Sequence, residues 1–282
     1  MIDLHSHILP GIDDGATDMA MSVRMAELAL ADGVTHMACT PHVMPEVYEN
    51  RSDDILTSIA MLDGELKARS LDLTLVSGCD AHVCFDMLEK LKSGDILTLN
   101  NTRYFLFEPS HHIAPPNIVG FCRRLIAQGF VPVLTHPERL SWLATRYSLV
   151  QDMHKLGVVI QLTAASITGR FGQMAQRLSD RMLDDGLVDV IATDAHNIKG
   201  RPPGLTEARE AIENRLGTEV AWRLVRGNPE KILADAPIDR TVYGIKAQSA
   251  DKTDQTSAKG RLFGWMNRKS SFKPAGRERI PT

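Results

Sequence analysis

Ile2-Asp3-Leu4-His5-Ser6-His7 opens the chain as a short apolar strand that runs into two histidines. Residues i and i+2 of a strand point the same way, so both imidazoles can reach one ion. A lone His-x-His arises often by chance, and it is the recurrence of the pattern that decides the fold. Outward from it, apolar runs return at intervals and end in polar residues of ligand type. Residues 34–40 lead to Pro41-His42, and 73–77 lead to Asp80. Residues 104–108 end on Glu108, 131–135 meet His136-Pro137-Glu138-Arg139, and 188–192 meet Thr193-Asp194-Ala195-His196-Asn197. With 2–5 and 158–162 this makes seven strands.

Helical patterns fill the intervals. Thr17 or Asp18 can cap a helix to about residue 31, with Gly33 as its stop. Others cover about 53–69, 118–128, 146–156 and 175–185, the last three closed by Gly129, Gly157 and Gly186. Residues 206–225 read as closing helices, with Gly227 and Pro229 as breakers. Strands separated by helices of this length predict an α/β fold of parallel βαβ units. The ligand-type residues all fall at strand C-terminal ends. In a closed parallel barrel those ends converge on one face, so a barrel is expected rather than an open sheet.

On that face the reading gathers five of the ten histidines: His5, His7, His42, His136 and His196. It adds four carboxylates: Asp14, Asp80, Glu108 and Asp194. Imidazole with carboxylate and without thiolate suits manganese, iron or zinc. Nine such groups exceed one ion and fit two or three. His36, His82 and His154 read as ordinary hydrogen-bonded histidines. Asp13 reads as turn chemistry before Gly15. In Glu108-Pro109-Ser110-His111-His112, only Glu108 is assigned to the site. Met19, Met21 and Met25 read as helix packing.

Composition narrows the function classes. The 282 residues carry 32 Lys+Arg against 35 Asp+Glu, a net charge of −3, which does not mark a nucleic-acid binder. Hydrophobic residues make up 43%, enough for a sizeable core. The longest apolar runs fall far short of the ~20 residues of a membrane span, and the N-terminus lacks the pattern of a signal peptide. Four scattered cysteines imply reduced thiols and a cytoplasmic location. A thiol phosphatase needs Cys-x5-Arg. The sixth residue after Cys39, Cys79, Cys84 and Cys122 is Pro45, Phe85, Lys90 and Gln128, so that mechanism is rejected.

Charge also divides the chain. Residues 246–282 hold nine basic and three acidic side chains, leaving 23 and 32 in residues 1–245. Two parts are expected: a domain over 1–245 and a basic tail over 246–282. The tail reads as a solvated, disordered extension. Its Arg261-Leu262-Phe263-Gly264-Trp265 stretch suggests, as a sharper reading, an electrostatic tether to anionic lipid.

The opening Met1-Ile2-Asp3-Leu4-His5-Ser6-His7-Ile8-Leu9-Pro10-Gly11-Ile12-Asp13-Asp14-Gly15-Ala16 resembles that of the PHP (polymerase and histidinol phosphatase) superfamily. More closely, it resembles the metal-dependent protein-tyrosine phosphatases of bacterial capsule and exopolysaccharide loci. Thr40-Pro41-His42, His136-Pro137-Glu138-Arg139, Gln161-Leu162-Thr163-Ala164-Ala165-Ser166 and Asp194-Ala195-His196-Asn197 with Arg201-Pro202-Pro203 continue the resemblance over about residues 1–235. It implies a distorted seven-stranded PHP barrel with a trinuclear site. One ion would take His5, His7, Asp80 and Asp194. A second would share Asp80 and take Glu108 and His136, and a third would take Asp14, His42 and His196. Arg139 and Arg201 match the family's phosphate-binding arginines. His42, His196 or a metal-bound water could donate a proton to the leaving group, and the sequence does not choose among them. The bridging position is usually Glu in the family, and Asp80 is one methylene shorter. His82 stands where the family commonly has Arg.

The resemblance further implies two or three divalent ions, manganese first and zinc or iron as alternatives. The implied substrate is phosphotyrosine on the tail of a bacterial tyrosine kinase that controls polysaccharide synthesis, met at the inner face of the membrane. A homo-oligomer through the first helix, with Arg24 and Glu27, is the family-based reading of that helix. The alternatives are a small-molecule phosphoesterase of the histidinol-phosphatase type and a weakly catalytic kinase-binding regulator.

Overall fold

The expected alternation of strands and helices is present in the computed structural model, which describes residues 1–241 and Tyr243. Its elements are β1 (Ile2–Ser6), α1 (Met19–Ala31), β2 (His36–Cys39), β3 (His42–Val43), α2 (Ser52–Ala68), β4 (Thr74–Ser77), β5 (Asp80–His82), α3 (Met87–Ser93), β6 (Tyr104–Glu108) and α4 (Ile118–Ala127). There follow β7 (Val131–Leu134), α5 (Ser148–Leu156), β8 (Val159–Thr163), α6 (Ala164–Ile167), α7 (Gly172–Asp184), β9 (Val190–Ala192), α8 (Thr206–Leu216), α9 (Thr218–Trp222) and α10 (Asn228–Leu233).

The strand count corrects the expectation of seven: the described residues contain nine. Two of the expected strands are each followed by a further short one. Pro41, which has no N–H to donate, interrupts the run between β2 and β3. Gly78-Cys79 interrupts the run between β4 and β5. His42 and Asp80 therefore open short continuing strands and do not follow strand ends. The strands form a three-stranded sheet, β1-β2-β4, and a six-stranded sheet, β3-β5-β6-β7-β8-β9. Every pairing between them is parallel. Beyond β1 and β9 the chain is stitched together by a parallel Ser6–Ala195 bridge. There Asp194 N donates to His5 O (2.9 Å) and His7 N to Ala195 O (2.8 Å).

The strands enclose one apolar cluster and carry another on their outer side. Ile2, Leu4, Ala38, Val76, Leu106, Val133, Val159 and Val190 meet in the enclosed space, with Leu99 and Ile232 packed among them. The larger cluster fills the layer between strands and helices, where Met25 is fully buried and Met19 and Met21 pack alongside. A bulge in β1 sets the site's position. Between Asp3 and Ser6 the strand carries one more residue than β2 opposite it. An extra residue reverses the alternation of faces. Ile2 and Leu4 therefore line the enclosed core, and His5 and His7 turn to the same side above them.

Helix ends follow local chemistry. Asp18 caps α1 by accepting from Met21 N at 2.8 Å. Arg24 and Glu27 lie on the exposed side of that helix and pair with each other at 2.7 Å. Gly157 ends α5 in the left-handed region. Pro229 does not act as a breaker: it sits in the first turn of α10, where its missing N–H would have no helical partner anyway. Among the described residues no helix is long and apolar enough to cross a membrane. The basic tail, its lipid tether and the 245/246 boundary lie outside the described residues.

Candidate metal centre

His5 and His7, two residues apart at the end of β1, bring their Nε2 atoms within 3.2 Å of each other. His5 Nε2 also lies 3.2 Å from Asp80 Oδ2, and both Nε2 atoms lie 3.4 Å from Asp194 Oδ1. Two donors ~2.1 Å from a common ion stand ~3.0–3.4 Å apart at tetrahedral to octahedral angles. These separations fit the edges of a coordination polyhedron. Asp14 Oδ1 lies 3.5 Å from His42 Nε2 and 3.4 Å from His196 Nε2, and these three form a second group with His7. Glu108 faces His136 at 3.5 Å and His42 at 3.3 Å. The register pairs His42 with Asp80 and His82 with Glu108 on adjacent strands, which explains how the groups come to share members.

All nine residues read from the sequence as ligands are thus in one place. His82 stands at its edge, 3.8 Å from Glu108. His36 bonds Thr35, and His154 faces Asp189 at 3.6 Å, both away from the site. One histidine read as loop joins the cluster: His111 Nε2 is 3.3 Å from Glu108 Oε1, and Glu108, His111 and His136 form a further group of ligand type. Its spacing three residues after Glu108 was the available signal.

Asp80 decides what the cluster is for. It is fully buried, yet neither of its carboxylate oxygens receives a hydrogen bond. Its close neighbour of donor type is His5 Nε2, 3.2 Å from Oδ2; a buried carboxylate so poorly hydrogen-bonded is costly, and a cation would remove that cost. The protonation equilibria express the same demand. Burial opposes charge on His7, but Asp13 and Asp194 outweigh it and lift its pKa to about 10. His196 goes the other way, to about 4, through burial and the neighbouring His7. Its hydrogen bond holds Asp14 below the usual carboxylate range. Burial pushes Glu108 up, but His111, His42 and His82 hold it well below that range. The donor set therefore fits divalent cations, through carboxylate and imidazole alone. The cysteines take no part: burial lifts the Cys79 and Cys122 thiols to about 12.

Supporting residues orient the ligands. Asp13, read as turn chemistry, accepts from His7 Nδ1 at 2.7 Å, from Gly15 N at 2.9 Å and from His42 N at 3.0 Å. Gln161 Oε1 meets His5 Nδ1 at 2.9 Å, and Tyr48 stacks on His42 with centroids 5.6 Å apart. His136 and Asp194 have φ of 34° and 52°, in the left-handed region that non-glycine residues enter at some cost, often at functional sites. Buried Glu138 accepts from Thr163 N at 3.0 Å and pins the turn between His136 and Arg139.

The two arginines converge on the opposite oxygen of Asp194. Arg139 Nη1 donates to Oδ2 at 2.5 Å, and Arg201 Nη2 donates to the same atom. Phe171 lies against both guanidinium groups, its centroid 4.5 Å and 5.6 Å from their Cζ atoms. Arg201 Nε is buried without a hydrogen-bond partner. The arrangement is a cluster of carboxylates and imidazoles bordered by two arginines.

Comparisons with known proteins give the family. The family model of capsular polysaccharide synthesis, CpsB/CapC, matches residues 1–234. The chain is 32% identical over 241 residues to tyrosine-protein phosphatase YwqE of Bacillus subtilis, covering 85% of this chain and 94% of the relative. It is also 32% identical over 238 residues to tyrosine-protein phosphatase CpsB of Streptococcus agalactiae, covering 83% and 98%. Among solved structures it superposes with TM-score 0.83 and 31% identity on one of YwqE from Bacillus subtilis and CpsB from Streptococcus pneumoniae, described as unique metal-dependent tyrosine phosphatases. That match covers 86% of this chain and 98% of the other.

Proposed function

We propose, because this chain belongs to the CpsB/CapC family of capsular polysaccharide synthesis, that it is a metal-dependent protein-tyrosine phosphatase. The observation that carries the reading is the double use of Asp194. One oxygen faces His5 and His7, and the other receives Arg139 and Arg201. A single carboxylate thus joins the cation cluster to the anion receptors, as hydrolysis of a phosphate ester requires.

His5, His7, Asp80 and Asp194 would hold one ion. Asp80, Glu108 and His136 would hold a second, with His111 beside it, and Asp14, His42 and His196 a third. The imidazole–carboxylate set suits manganese, with zinc and iron as alternatives. Such ions, when bound, stabilise charge on phosphoryl oxygens and bring the pKa of an attacking water towards ~7. Arg139 and Arg201 each use one N–H on Asp194 and present the rest of their planar forks to the phosphate. Phe171 holds both forks in place. A tyrosyl leaving group, with a phenol pKa of ~10, needs less proton assistance than an alkoxide. The substrate class this supports is phosphotyrosine on the tail of a bacterial tyrosine kinase of polysaccharide synthesis.

The test is to assay purified protein, stripped by chelator and reloaded with manganese, on a phosphotyrosine peptide and on histidinol phosphate. Metal-dependent turnover of the peptide is expected. Turnover of histidinol phosphate alone would move the protein to the small-molecule branch. Peptide turnover by stripped protein would remove the metals from the reaction.

A further inference from the structure

A cavity of about 360 Å³ opens directly beside the metal centre. Two groups of the site form its inner wall. His111 faces Glu108 at 3.3 Å, and Arg139 is bonded to Asp194. The outer wall is apolar, with Leu140, Ala144, Phe171 and Met174. Met174 is 58% exposed, so its thioether is open to whatever enters the cavity.

The cavity is braced. Ser141 N and Oγ both donate to His111 O, at 2.9 and 3.0 Å, and Trp142 Nε1 donates to Ser110 O at 2.9 Å. These bonds staple the His111 loop to the turn that follows Arg139, so the space between them is preformed. Its volume lies within the ~300–1,000 Å³ of small-ligand sites.

Resting on the phosphatase reading, we infer that this cavity receives the aromatic ring of the leaving group. A phosphoryl group seated on Arg139 has its ester substituent at the mouth of the cavity. An aryl ring there packs on Phe171 and against the Met174 thioether, both favourable partners for an aromatic face or edge. An alkyl ester such as that of serine leaves much of this apolar wall uncovered. The cavity therefore makes the site selective for aryl phosphate esters at the binding step, separately from leaving-group reactivity.

Calorimetry on the manganese-loaded full chain tests this with phenylphosphonate and methylphosphonate. These non-hydrolysable anions share a head group and differ by the ring. Phenylphosphonate should bind about tenfold tighter, from the apolar area its ring buries. Ala144→Trp narrows the cavity from an exposed position, and Met174→Ser removes part of the apolar wall. Each should bring the ratio of affinities towards one while leaving methylphosphonate binding and metal content unchanged. Equal affinities in the wild type, or a preference that survives both substitutions, overturns the inference. Failure of the phosphatase reading looks different. Neither phosphonate then binds, no phosphotyrosine peptide is turned over, and the inference falls with the reading.

Discussion

Arg139 reaches Asp194 Oδ2 at 2.5 Å while the other oxygen of the same carboxylate lies 3.4 Å from His5 and from His7. The relationship makes Arg139 dependent on its fork geometry as well as its charge. Arg139→Lys keeps the charge but loses the planar donors and the stacking on Phe171. The expected effect is a fall in kcat of about 100-fold on a phosphotyrosine peptide, the scale of losing one oriented transition-state donor. Steady-state kinetics with metal content checked by elemental analysis measures it. A lysine variant with wild-type kcat would remove Arg139 from the anion receptor.

Asp13 touches no substrate, yet it fixes the ring of His7 and the backbone of His42. Asp13→Asn should weaken metal binding by about 10- to 100-fold, as loss of a partner behind a ligand typically does. Competition with a chromogenic chelator gives the affinity. Unchanged affinity would make Asp13 a turn residue only.

Gly15 is where the backbone of this turn passes His7. A Cβ there would lie 2.1 Å from His7 O and 2.4 Å from His7 Cβ, and neither atom can yield without moving the ligand. Gly15→Ala should destabilise the fold by about 2–3 kcal/mol, the cost of overpacking at a rigid site. Chemical denaturation measures it, and a variant as stable as wild type would show that the turn can shift.

Asp3 is fully buried, and burial raises its pKa from 3.8 to about 6, against hydrogen bonds from Thr193 and His5. Between those two values the folded protein holds a proton that the unfolded chain has released. The stabilisation from neutral Asp3 is therefore full below about 4 and is lost as pH rises through about 6. Asp3→Asn, which cannot ionise, should lack this component. Denaturation curves of both proteins from pH 4 to 7 give the difference, which should shift in favour of the variant with rising pH. A difference independent of pH would contradict it.

Much of this was legible in the residues. The strand runs and the polar residues at their C-terminal ends placed nine ligand-type groups on one face, because parallel connections leave those ends together. Three things were not. The interruptions at Pro41 and Gly78 hid two strands, since β3 and β5 have two and three residues, too few to show a period. The bulge in β1 leaves no compositional mark, although it alone brings His5 and His7 onto the side of Ile2 and Leu4. His111 and Asp13 looked like loop chemistry because their roles depend on partners brought near by the fold, Glu108 in one case and His7 in the other.

The central claim is that the buried carboxylate–histidine cluster holds the ions that drive tyrosine dephosphorylation. The most direct measurement titrates metal-free protein with manganese and records, in the same samples, bound metal and phosphate released from a phosphotyrosine peptide. Release should rise in step with bound metal and level off at two or three ions per chain, and Asp80→Asn should lose both together. Full release before any metal binds, or full occupancy with no release, would contradict the account.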